Sequence, residues 1–131
     1  MNHRVSSIRN LRTVKALRGE SLTIDLGKSY QGTMTAWMKK NPNDSTYRSF
    51  DITNNRYLVL SKTKASDYYN EYEELVEAIE GKWKFDVELI PVGGIPDDAK
   101  TIYTGTILFI NDITNSVGVE LTDVRINLDD F

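Results

Sequence analysis

Apolar side chains recur at every second position along most of this chain, and that period restricts its fold more than any other feature. The clearest run is 82–89, where Trp83, Phe85, Val87 and Leu89 alternate with Lys84, Asp86 and Glu88. The same pattern places Leu22, Ile24 and Leu26 opposite Ser21, Thr23 and Asp25, and Met34, Ala36 and Met38 opposite Thr35 and Trp37. Within 48–53, Phe50 and Ile52 share a face; 56–61 is a short β-rich run, and 101–110 is dense in Thr, Ile, Tyr and Phe. A last run over 117–128 supplies Val119, Leu121, Val124, Ile126 and Leu128. An extended backbone turns successive side chains to opposite faces, so each run predicts a strand with one buried face and one wet face.

The intervening segments carry turn chemistry. Asn41-Pro42-Asn43-Asp44 and Asn54-Asn55 break the runs, and Gly93-Gly94 before Pro96-Asp97-Asp98 predicts a longer hairpin loop. Many short strands at this spacing predict a mainly β sandwich or barrel. One segment departs from period two. Over 66–80, Tyr68, Tyr69, Tyr72, Leu75, Val76 and Ile79 fall at helical spacing, with Ser66 as N-cap and Gly81 as terminator. This predicts one inserted helix whose tyrosines dock on a sheet. Its other face carries Glu71, Glu73, Glu74, Glu77 and Glu80, and acids in the last turn oppose the helix dipole.

The 131 residues suit one domain large enough to bury its own core. The reading is an N-terminal arm or first strand over 1–16 and a β-sandwich domain over 17–131. No cysteine is present, so disulfides, thiolate zinc sites and cysteine nucleophiles are excluded. The net charge of −3 creates no field that would collect nucleic acid or an anionic membrane. No apolar stretch reaches bilayer length, and Arg9, Asn10, Arg12 and Lys15 interrupt any leader-like run, so cytoplasmic synthesis is expected.

Catalytic chemistry finds little support. The single histidine, His3, is expected in a solvated terminal tail, which leaves no base for a serine–histidine–acid triad. The adjacent acid pairs Glu73-Glu74, Asp97-Asp98 and Asp129-Asp130 diverge rather than converge on one bond. The loops 41–45 and 111–115 lack the ligand spacing of a calcium loop, and no phosphate-cradling glycine motif occurs. No cofactor, metal or catalytic residue is therefore expected, and a hydrolase working with acids alone is the weakest reading.

Charge is distributed unevenly. Arg4, Arg9, Arg12, Lys15 and Arg18 precede the first acid, Glu20, whereas Glu120, Asp123, Asp129 and Asp130 cluster late, before Phe131. Such asymmetry suits head-to-tail protein contacts. The candidate interface residues are Arg4, Arg9, Arg12, Trp37, Asp129, Asp130 and Phe131. Trp37 is out of phase with Met34, Ala36 and Met38, so it is either an exposed anchor or covered by the helix.

The order of motifs is also informative. Leu17-Arg18-Gly19-Glu20-Ser21 precedes a strand, followed by Trp37-Met38-Lys39-Lys40, Ser49-Phe50-Asp51-Ile52, and Gly81-Lys82-Trp83-Lys84-Phe85-Asp86-Val87-Glu88. Ile102-Tyr103-Thr104-Gly105-Thr106-Ile107 and Asn111-Asp112-Ile113-Thr114 close the series. Together these resemble the immunoglobulin-like β-sandwich modules of tailed-phage baseplate and tail proteins, such as upper baseplate N-terminal domains. The resemblance runs from about Leu17 to Thr114 and implies a non-enzymatic virion part. Its expected partners are other virion proteins and copies of itself, without nucleic acid or membrane. It transfers no catalytic residue, and the acidic 66–80 segment and the strands after Thr114 go beyond the shared pattern. The competing expectation is a carbohydrate-binding sandwich that uses Trp37 with Tyr47 and Tyr57.

Overall fold

The computed structural model describes residues 9–11, 13–44, 46–110 and, for the backbone alone, 123–127. These residues are mainly β and contain no α-helix. The strands are β1 (Arg9–Asn10), β2 (Val14–Leu17), β3 (Ser21–Asp25), β4 (Thr33–Lys39), β5 (Arg48–Ser49) and β6 (Asp51–Thr53). They continue as β7 (Tyr57–Leu60), β8 (Tyr68–Tyr69), β9 (Leu75–Glu77), β10 (Gly81–Ile90), β11 (Lys100–Ile110) and β12 (Asp123–Asn127).

The larger sheet has the order β1-β11-β10-β4-β5, with β2 following β1 along the same edge of β11. Both edge segments run parallel to β11, whereas each neighbouring pair along β11-β10-β4-β5 is antiparallel. The smaller sheet has the order β12-β3-β7-β6, with β12 parallel to β3. Inward residues of the two sheets meet in one core cluster, an arrangement consistent with a β-sandwich. The larger sheet contributes Ala16, Met34, Met38, Trp83, Phe85 and Phe109, and the smaller one Leu22, Ile24, Leu58 and Leu60.

Local chemistry explains the frame. Asn54 and Asn55 both take positive φ, at 56° and 49°, and the Arg56 N–H donates to the Thr53 carbonyl at 3.0 Å. Two successive left-handed residues give a turn whose twist matches paired strands, and asparagine tolerates that conformation. The Asn55 side chain also donates to the Tyr30 and Gly32 carbonyls, tying this turn to the loop before β4. Gly105 lies opposite Phe85, and a Cβ there would fall 2.6 Å from the Phe85 ring. The missing side chain lets that ring lie on the backbone of β11, edge-on to Phe50 at 6.1 Å.

The 48–53 run, read above as one strand, serves two sheets. β5 pairs with β4, the Phe50 N–H donates to Ala36 at 2.9 Å, and β6 then pairs with β7. Buried Phe50 is the corner. The loop 91–99 joins β10 to β11 through a 3₁₀ turn, Pro96–Asp98, with the Asp98 carboxylate accepting the Ile95 N–H at 3.0 Å. The strand expected over 117–128 is described only at β12.

The expected inserted helix over 66–80 does not form. Its residues make a two-stranded ribbon, β8 against β9. Ser66 donates its hydroxyl back to the Lys62 carbonyl instead of capping a helix. Gly81, with φ of 119°, opens β10 instead of closing a helix. Asn70 organises the turn: its Oδ1 accepts the N–H groups of Tyr72 and Glu74 at 2.8 and 3.0 Å, and its backbone N–H donates to Glu74. A short amide side chain that binds nearby backbone competes directly with helix formation. A helix would also bring Glu73 and Glu77, and Glu77 and Glu80, onto neighbouring positions, where like charges repel.

Candidate functional site

The period-two rule that buries Met34, Ala36 and Met38 turns Trp37 to the outer face of the larger sheet. There it pairs in register with Asp86 of β10 on one side and Ser49 of β5 on the other. Asp86 in turn pairs with Thr104 of β11. Trp37 is half-buried and separates two open hollows. One, of about 330 Å³, is lined by Trp37, Lys39, Pro42, Lys84, Asp86 and Thr104. The other, of about 310 Å³, has walls that include Met34, Tyr47, Phe50 and Ile52. Tyr47 is 59% exposed, and its ring lies 6.3 Å from that of Trp37 at 56°. A large ring fixed by a strand beneath it, with apolar and polar walls on either side, can bury much surface at little entropic cost.

Beside this groove sits a residue that the sequence reading passed over. Arg48 is only 3% exposed. Its guanidinium donates to the carbonyls of Lys64 at 2.8 Å and Ser66 at 2.6 Å, and to the Glu77 carboxylate at 3.0 Å. It also lies 3.6 Å over the Tyr68 ring and 4.7 Å from that of Trp83. Arg48 therefore pins the β8–β9 ribbon to the larger sheet. Three further bonds help: Lys40 to the Ala78 carbonyl at 2.7 Å, the Trp83 indole to the Ile79 carbonyl at 2.7 Å, and the Ile79 N–H to Asp67 at 2.9 Å. The signal was present in the sequence, because Arg48 has the same parity as Phe50 and so points to the buried side.

The ribbon's free side carries the residues expected to dock the helix. Tyr69, Tyr72, Leu75 and Val76 are exposed, while Tyr68 is half-buried beneath Arg48 and Ile79 is fully buried. The tyrosine face is thus turned largely to solvent, not sealed on a sheet.

Of the candidate interface residues, Trp37 stands as described above, and no helix covers it. Arg9 is exposed, with its guanidinium 5.9 Å over the Tyr103 ring. Arg4, Arg12, Asp129, Asp130 and Phe131 lie outside the described residues. The aromatic platform of Trp37, Tyr47 and Tyr57 is divided: Tyr57 belongs to β7 of the smaller sheet, with Arg56 5.2 Å over its ring.

The acids behave as local structure. Asp44 accepts the Asn41 N–H at 3.2 Å, closing the 41–44 turn, and Asp25 holds Arg56 through two contacts of 2.7 and 3.1 Å. Among the described residues, no three His, Cys, Asp or Glu side chains gather as a metal site. None of their helices is long and apolar enough to cross a membrane. Comparison of the chain with family models, with curated proteins and with solved structures returns no match.

Proposed function

We propose that this chain is a non-enzymatic structural or adaptor domain of a tailed-phage virion, an immunoglobulin-like sandwich that acts by protein–protein assembly. The strand order supports the fold half of this reading. β11-β10-β4-β5 follows the G-F-C-C′ order of a variable-type immunoglobulin sheet, and β3-β7-β6 follows B-E-D. The motif series from Leu17 to Thr114 supports the virion half. The observation that carries the assembly role is Trp37, a half-buried indole on the outer face of the larger sheet that lines two hollows. Hot spots of protein interfaces are built in this way.

The test is co-expression with the proteins encoded beside its gene, followed by mass measurement of the purified complex by light scattering. A stable complex is expected for the unaltered chain, and Trp37→Ala/Tyr47→Ala should dissolve it while leaving the fold intact. A complex indifferent to that double substitution would remove the groove from the interface. The second reading, carbohydrate binding, draws on the same groove, where Trp37 stands beside Asp86, Lys84 and Lys39. Specific glycan capture on an array, with no protein complex, would replace the first reading by the second.

A further inference from the structure

The two ends of the sandwich differ in chemistry. The β8–β9 ribbon marks one end, because the turn after β2 contacts its base: Gly19 donates to Ala65 at 2.7 Å, and Arg18 reaches Asp67 at 4.0 Å. The ribbon projects Tyr72, 75% exposed, and Val76, 66% exposed, together with exposed Tyr69 and Leu75. Glu71, Glu73 and Glu74 are exposed on its turn.

The other end lies where β1 enters. Arg9 pairs with Tyr103 and Leu17 with Ile110, so seven residue steps of β11, about 23 Å at strand rise, separate the ends. Two exposed cations sit there on a tyrosine pair: Arg9 at 5.9 Å over Tyr103, and Lys28 at 5.0 Å over Tyr30. The two phenol hydroxyls are hydrogen-bonded and the rings meet edge to face at 6.1 Å. The adjoining loop 91–99 exposes Val92 and Ile95, at 73% and 58%. That loop also exposes two acids, Asp97 and Asp98, the latter accepting the Ile95 N–H, and exposed Lys100 follows them.

We infer that copies of this chain associate end to end, with the acidic, apolar ribbon of one copy seated on the Arg9–Lys28 tyrosine end of the next. Each end offers apolar side chains beside charge: acids alone on the ribbon's turn, and at the other end three exposed cations, Arg9, Lys28 and Lys100, against two exposed acids, Asp97 and Asp98. A contact between unlike patches at opposite ends of one molecule is heterologous and propagates into rings or filaments. The inference rests on the assembly reading above but uses different surfaces, so Trp37→Ala/Tyr47→Ala should leave self-association unchanged.

The experiment is light scattering of the full chain across concentration and salt. Mass should rise past the dimer with concentration, and fall as salt screens the charges. Glu71→Lys/Glu73→Lys and Arg9→Glu/Lys28→Glu should each weaken association at least ~tenfold, because like charges then face each other. An equimolar mixture of the two variants should restore it. All four positions are exposed, and melting curves would verify that each variant folds. A wild-type monomer at every concentration would overturn the inference. So would a dimer that is indifferent to Arg9 and Lys28, or a mixture that fails to recover. Loss of the complex with neighbouring proteins in these charge variants is not expected; intact self-association without any such complex would count against the assembly reading alone.

Discussion

The β10–β11 hairpin and the β8–β9 ribbon are both antiparallel pairs, yet they are held by opposite means. In β10–β11, Trp83, Phe85, Val87, Tyr103, Ile107 and Phe109 all point into the core, so the pair is held by apolar burial along its length. The ribbon buries no side chain of its own strands: Tyr69, Leu75 and Val76 are exposed, and Tyr68 and Glu77 are half-buried. It is held at its base by polar contacts, those of Arg48 together with the bonds of Lys40, Trp83 and Asp67, and at its tip by Asn70. The difference shows that an apolar spacing predicts burial only when a neighbouring layer is there to receive it.

The largest test of this contrast removes apolar burial. Phe85→Ala should cost about 3–5 kcal/mol and lower the unfolding transition of the whole domain, seen in denaturant melts. Arg48→Met should cost about 3 kcal/mol, because it leaves the Lys64 and Ser66 carbonyls and the Glu77 carboxylate without their donor. Its signature should be local: amide exchange in 68–77 accelerates while β10 and β11 amides keep their relative protection. Equal acceleration in both regions would break the comparison. Gly105→Ala should cost about 1–3 kcal/mol by pushing the Phe85 ring off β11. Smallest of all, Asn70→Ala should cost about 1 kcal/mol, confined to exchange of the ribbon's turn amides. A helical signal in the circular dichroism of that variant would show that Asn70 alone suppresses the helix.

Much of the frame was legible in the sequence. The runs around Ile24, Ala36, Val87 and Ile107 became strands because their alternation matches the pleat, and Asn54-Asn55 became a tight turn because asparagine accepts positive φ. Trp37's outward phase was equally readable. The 66–80 segment was not, since its tyrosine spacing fits a helix while Asn70 and the glutamate series act against one. Arg48 was also missed, although parity placed it on the buried side. A charge there looks like an exposed residue until the carbonyls of Lys64 and Ser66 and the carboxylate of Glu77 are seen to surround it.

By itself the sequence determined the long alternating strands around Ile24, Ala36, Val87 and Ile107, their buried faces and the Asn54-Asn55 turn. Those follow from steric preferences of the backbone and from a period that only an extended chain can use. The tertiary structure alone decided which strands share a sheet, that the chain crosses between layers at Phe50, and that the 66–80 segment stays extended. These outcomes depend on contacts between residues far apart in sequence, such as Arg48 with Glu77, and no local pattern encodes such pairings.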